Sequence, residues 1–280
     1  MVTPFTATGE IDQSAAVRLL HHLMENGSDG VVVCGTTGEA ATLSDDEHLG
    51  FIELIVSEAR SSFPQATVIA GVGSNDTRHA VMLTERATEL RPDALLSVNP
   101  YYNRPNRRGI VAHYREVNAA TDLPVILYNI PQRTGSDLSN DLLEELGQSF
   151  EHIVAVKQAN PQNVAHIDGL SLYAGNDDLL AKVLEMGEAG GILTGSHVFG
   201  KQMRRLAEEP AERARIDASL KDVYRDMAIA PGACSCKAAL NLLGVSVGGP
   251  RLPYVPLDDA ELEVIRQLLI RHGLLEERPA

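Results

Sequence analysis

The chain has 280 residues, 44% of them apolar, with 4% aromatic and no Trp. This is enough for one large core built from Val, Ile, Leu and Ala, the residues that stack inside a parallel barrel. A formal net charge of −14 is repelled by phosphate backbones and argues against a nucleic-acid partner.

Short apolar runs alternate with longer amphipathic ones along the chain. The runs lie at 31–34, 68–72, 94–98, 125–128, 153–156, 172–174 and 191–194. Each is rich in β-branched or small apolar residues and lacks polar alternation, the pattern of a strand buried on both faces. Helix patterns fill 12–26, 45–61, 76–90 and 108–120, and Ser44 with Glu47 forms a capping box for the second of these. Strands alternating with helices predict an α/β protein, a (β/α)8 TIM barrel, over residues 1–210. Only residues 1–5 are left for the first strand, so it is expected to be cut short, and the run at 191–194 is weak. Beyond 210 the strand signal stops. Residues 211–227, 235–243 and 259–272 read as helices, with a Pro- and Gly-rich loop at 248–256, giving a C-terminal helical extension over 211–280.

Three cysteines, Cys34, Cys234 and Cys236, make no disulfide framework. Thr3, Pro4 and Gly9 interrupt any secretory apolar segment, and no stretch is long and apolar enough to span a bilayer. The expectation is a cytoplasmic protein with no membrane partner.

Barrel enzymes carry their chemistry at the C-terminal ends of strands. After the run at 31–34 comes Gly35-Thr36-Thr37-Gly38-Glu39, two hydroxyls between glycines, which is either a carboxylate- or phosphate-holding loop or a plain tight turn. Asn99-Pro100-Tyr101-Tyr102-Asn103 follows the third run, and Tyr128 leads into Asn129-Ile130-Pro131-Gln132-Arg133-Thr134-Gly135. Tyr128 is a proton carrier or a packing residue, and Arg133 is a carboxylate grip or a surface cation. Lys157 closes the run Ile153-Val154-Ala155-Val156. Burial disfavours an ammonium, so a lysine at this mouth is a candidate amine nucleophile, unless its stem carries the charge out to water. There is no His/Asp/Glu cluster with metal-ligand spacing and no Gly-x-Ser-x-Gly elbow, so neither metalloenzyme nor hydrolase chemistry is supported.

Taken together, Gly35–Glu39, Pro100-Tyr101-Tyr102-Asn103-Arg104-Pro105, the Tyr128–Gly135 segment and Val156-Lys157 resemble, in order and spacing, the dihydrodipicolinate synthase family over essentially the whole chain. The resemblance implies a Schiff base between pyruvate and Lys157, with no other cofactor and no metal. It implies Tyr128 as proton donor and acceptor, relayed through Thr36 to Tyr102 arriving from a neighbouring subunit. Thr37 and the backbone of Ile192 would hold the pyruvate carboxylate, and Arg133 would receive L-aspartate 4-semialdehyde. The implied product is 4-hydroxy-tetrahydrodipicolinate, on the path to diaminopimelate and lysine, and the implied assembly is a homotetramer, a dimer of dimers.

Ala41, His48, Asn75 and Tyr101 match an allosteric lysine site of such relatives, whereas Asp45 and His79 stand where His and Glu are common, which points to weak or absent lysine inhibition. Other departures are Gln158 in place of an acid, Gly175-Asn176-Asp177, and Leu193-Thr194-Gly195. The chain also starts several residues later than relatives do, so either its first strand is short or its start lies upstream. The alternatives are another pyruvate-dependent lyase, acting on N-acetylneuraminate or a 2-keto-3-deoxy sugar acid, and a catalytically silent sensor of pyruvate or lysine.

Overall fold

A computed structural model describes residues 1–277. The chain divides into two compact units, one made of residues 1–66 with 194–280 and the other of residues 67–193.

The first unit opens with α1 (Gln13–Glu25), β1 (Gly30–Val33) and α2 (Asp45–Ser62). The Asp12 side chain accepts from the N–H of Ala15 and starts α1, whose buried stripe is Ala15, Ala16, Leu19, Leu20 and Leu23. The expected box is formed in full at α2: the Ser44 side chain accepts from the Glu47 N–H, and the Glu47 side chain accepts from the Ser44 N–H. Residues 1–5 make no strand ladder; Phe5 forms a single antiparallel bridge with Ile11.

The second unit holds β2 (Thr67–Gly71), α3 (Thr77–Glu89), β3 (Ala94–Val98), α4 (Arg107–Ala119), β4 (Val125–Asn129), the single turn α5 (Pro131–Thr134), α6 (Asn140–Ser149), β5 (Ile153–Gln158), β6 (Ser171–Ala174), α7 (Leu180–Glu185) and β7 (Gly190–Gly191). Strands β2 to β7 pair in parallel and in chain order. Helices lie between most successive strands, as parallel pairing requires. Strand β4 is buried at all five positions, which explains why its sequence shows no alternation. The weak seventh run yields only the pair Gly190–Gly191, because two glycines offer no side chains to pack and Gly190 sits at φ 137°.

The chain then returns to the first unit with α8 (Ser196–Glu208), α9 (Arg213–Ser219), α10 (Lys221–Asp226), α11 (Gly232–Leu242) and α12 (Asp259–Arg271). The single helix expected over 211–227 is broken at Leu220. The Ser219 hydroxyl donates back to the Ile216 carbonyl at 2.7 Å, a local bond that competes with continuing the helix. Among the described residues no helix is long and apolar enough to cross a membrane.

Candidate active site

The first unit holds the threonine loop. Strand β1 ends at Val33, and Cys34 takes a left-handed conformation, φ 55°, that turns the chain into Gly35–Glu39. Thr36 and Thr37 are half-buried. The loop is closed by Glu39 N–H to Thr36 O at 3.0 Å and anchored by the Thr3 hydroxyl, which donates to Gly38 O at 2.6 Å. A Cβ on Gly38 would stand 3.1 Å from Met1 O and 3.3 Å from the Cys34 and Gly35 nitrogens, a tight fit that favours a glycine.

The base of the loop rests on a buried ion pair. Glu39 Oε1 lies 2.6 Å from Lys237 Nζ, with side-chain exposures of 0% and 2%. Lys237 also donates to Gly249 O at 2.9 Å and stands 4.2 Å from the centre of the Phe5 ring. Glu39 Oε2 accepts the Arg251 backbone N–H at 2.9 Å. Burial pushes the Lys237 amine below its ordinary range, and the Glu39 carboxylate opposes that push. Sequence reading missed this pair. The available signal was one lysine within the apolar stretch 233–240; its partner is far away in the chain.

The second unit holds the amine and the arginine. Tyr128 and Lys157 are register partners on β4 and β5, and Lys157 is in turn paired with Tyr173 on β6. Their side chains share one face of the sheet, because successive side chains alternate. Lys157 Nζ stands 4.2 Å from the centre of the Tyr128 ring, and Tyr128 is buried. The loop after β4 folds at once into α5, which places Arg133 on an exposed turn closed by Gly135 at φ 74°. Ile192 donates its N–H to Ala174 O at 2.9 Å.

Tyr102 differs from all of these. It is 89% exposed, its φ of 73° is left-handed, and only its backbone N–H is tied, to Thr134 O at 3.2 Å. Its ring is thus held outward at the cost of backbone strain. Tyr101, beside it, is also exposed.

The residues matched to a lysine site divide between the units. In the first, Ala41 lies in the turn after the threonine loop, and His48 is buried in α2, where its carbonyl accepts the Cys34 thiol at 3.5 Å. In the second, the Asn75 carbonyl accepts the Asn103 side-chain N–H at 2.8 Å, and His79 Nδ1 lies 3.1 Å from the Ser74 hydroxyl. Asp45 opens α2. Among the described residues, no group of three or more His, Cys, Asp and Glu side chains is placed to hold a metal ion.

The model of the dihydrodipicolinate synthetase family matches residues 1–271. A 4-hydroxy-tetrahydrodipicolinate synthase of Heliobacterium modesticaldum is 39% identical over 286 aligned positions, covering 98% of this chain and 94% of the relative. One from a Synechococcus species is 38% identical, covering 99% and 93%. Among solved structures, the synthase of Cyanidioschyzon merolae with lysine bound superposes with a TM-score of 0.94 at 37% identity, covering 98% of this chain and 97% of the other. The Aquifex aeolicus dihydrodipicolinate synthase gives a TM-score of 0.91 at 32% identity, covering 99% and 98%. With the family match running over residues 1–271 and relatives matched almost end to end, the chain belongs to the dihydrodipicolinate synthetase family.

Proposed function

We propose that the chain condenses pyruvate with L-aspartate 4-semialdehyde to give 4-hydroxy-tetrahydrodipicolinate, through a Schiff base on Lys157. The observation that carries this reading is the Lys157 amine poised 4.2 Å over the Tyr128 ring on the neighbouring strand. In this mechanism the amine adds to the keto carbon of pyruvate, and water leaves to form the imine. The imine withdraws electrons, C3 loses a proton, and the resulting enamine attacks the aldehyde carbon of the second substrate; that substrate's amino group then adds to the imine carbon, closing the ring and expelling the Lys157 amine.

Tyr128 passes protons through Thr36 to Tyr102 of the partner subunit. The outward aim of Tyr102, 89% exposed, supports a role in another copy and hence at least a dimer. A tetramer built from two such dimers is the assembly we favour. Thr37 supplies donors for the pyruvate carboxylate. The Ile192 N–H is engaged by Ala174 and its carbonyl can only accept, so the Ile192 backbone would face a hydroxyl or N–H of the bound intermediate and not the carboxylate itself. The Arg133 guanidinium takes the carboxylate of the semialdehyde, a task suited to its planar pair of donors.

The same reading takes the architecture as a (β/α)8 barrel over residues 1–210, followed by a helical extension from residue 211. Three cysteines without disulfide spacing fit a cytoplasmic setting.

The test is turnover with pyruvate and each aldehyde partner in turn. L-aspartate 4-semialdehyde is expected to be consumed at rates ordinary for an enzyme, on the order of 1–1000 per second. Preferential cleavage of N-acetylneuraminate or a 2-keto-3-deoxy sugar acid would overturn the substrate assignment. No turnover of any of them would favour a silent pyruvate sensor.

A further inference from the structure

Strands β3, β4 and β5 each end in, or run directly into, a carboxamide on the face opposite Tyr128 and Lys157. Asn99, Asn129 and Gln158 are all completely buried, at 0% exposure. Asn129 and Gln158 are register partners, and the Asn99 N–H donates to Tyr128 O at 3.1 Å, which brings the three to one level. Apolar strands with buried amides at their ends call for an explanation, because an amide in a core is stable only when its bonds are made.

Here Asn99 Oδ1 and Gln158 Nε2 are buried without a partner among the described residues, and the bonds that are made converge on the segment after β4. Asn99 Nδ2 donates to the Ser136 hydroxyl at 2.8 Å. Asn129 Nδ2 donates to Asp137 Oδ1 at 2.8 Å, to Leu138 O at 3.1 Å and to Gln158 Oε1 at 3.0 Å. Asn129 Oδ1 accepts the Leu138 N–H at 3.0 Å. Gln158 Oε1 also accepts the Asn160 N–H at 2.9 Å, and Asn163 Nδ2 clasps Asp137 Oδ2 from outside at 2.8 Å. The clasped residues, Ser136 to Leu138, follow directly on the turn that carries Arg133. Within it the buried Thr134 hydroxyl bonds Ser136 O at 2.7 Å, and Thr134 O receives the Tyr102 N–H at 3.2 Å.

We propose that Asn99, Asn129 and Gln158 form a positioning ladder that sets the Arg133 turn, and with it the capture of the second substrate's carboxylate. The proposal rests on the role given to Arg133 above. A loop is ordinarily the mobile part of an α/β enzyme, whereas a bidentate guanidinium grip tolerates little displacement. Three amides on the rigid strand ends convert the loop into an extension of the sheet. They face away from Lys157, so they act on the second substrate and not on the capture of pyruvate. They are positioning residues and do not touch the reacting atoms.

The experiment uses the full chain with Asn129→Ala and, as the milder variant, Asp137→Ala. Asp137 is exposed, so its removal leaves the buried amides in place. In Asn129→Ala the Leu138 amide and its neighbours in 131–138 should exchange hydrogen at least about tenfold faster, since the acceptor is gone. The KM for L-aspartate 4-semialdehyde should rise about tenfold in Asn129→Ala and about threefold in Asp137→Ala. The KM for pyruvate and the yield of borohydride-trapped adduct should stay within about twofold of wild type. Unchanged exchange over 131–138 in both variants would overturn the ladder, as would KM values for both substrates rising together. Should the wild type fail to turn over the semialdehyde, the assignment of Arg133 falls, and the exchange data alone decide whether the ladder holds the turn. Should Asn129→Ala fail to fold, Asp137→Ala decides both measurements.

Discussion

Replacing Lys237 by Met removes the cation from a site where Glu39 has no exposed surface. The butyl stem of Lys237 and the Met side chain are similar in volume, so packing against Phe5 survives and the loss is electrostatic. What remains is a buried carboxylate with one backbone N–H, from Arg251, in place of an ammonium at 2.6 Å. Removing one partner of such a pair costs about 3–5 kcal/mol, because the other charge is left uncompensated. At about 2 °C per kcal/mol for a chain of this size, Tm should fall by roughly 6–10 °C. Burial holds the Lys237 amine below its ordinary range despite Glu39, so the intact pair itself adds little net stability. The double variant Glu39→Gln/Lys237→Met should therefore be more stable than Lys237→Met alone. Thermal and urea unfolding of wild type, the two single variants and the double variant form a complete cycle. A loss below about 1 kcal/mol in Lys237→Met, or strictly additive losses, would refute the reasoning. Because Glu39 closes the Gly35–Glu39 turn, the same variant should also lower activity through Thr36 and Thr37.

Two further outcomes follow from particular groups. Burial pushes the imidazole of His113 down to about 4 and that of His197 to about 3. The unfolded chain then binds more protons than the fold below the ordinary histidine value of about 6.5, so stability is intact above that pH and is lost as pH falls toward 4 and then 3. Tm measured across this window should drop, and His113→Gln should show a shallower drop; an unchanged slope would contradict the assignment. Lysine should inhibit weakly or not at all, because His79, bonded to Ser74, brings no carboxylate for the ligand's ammonium to the lysine site that the resemblance implies. A submillimolar inhibition constant in a steady-state assay would refute this.

Much of the site is legible in sequence because strands buried on both faces announce themselves as apolar runs, and the polar residue that ends such a run has few places to go. Lys157 after Ile153–Val156 and Tyr128 after Val125–Leu127 are of this kind, and register pairs them. The limits are also physical. Residues 1–5 were expected as a strand but make one bridge, since a segment so short depends on neighbours and not on its own pattern. The seventh strand shrinks to two glycines for want of side chains. Asn99, Asn129 and Gln158 stood in or beside the quoted motifs, yet their common level and common target depend on strand register and loop path, which no local pattern encodes. The Glu39–Lys237 pair joins chain segments far apart in sequence, and only the solitary lysine among apolar neighbours hinted at it. His113 and His197 were likewise unread, because their burial is a tertiary fact.

The central claim is that Lys157 forms the imine. Its most direct test is intact-mass analysis after incubation with pyruvate and borohydride, on wild type and on Lys157→Ala. The account predicts one reduced pyruvyl adduct per wild-type chain, mapped to Lys157 by peptide digestion, and none on the variant. An adduct that persists in Lys157→Ala, or no adduct on well-folded wild type, would contradict it.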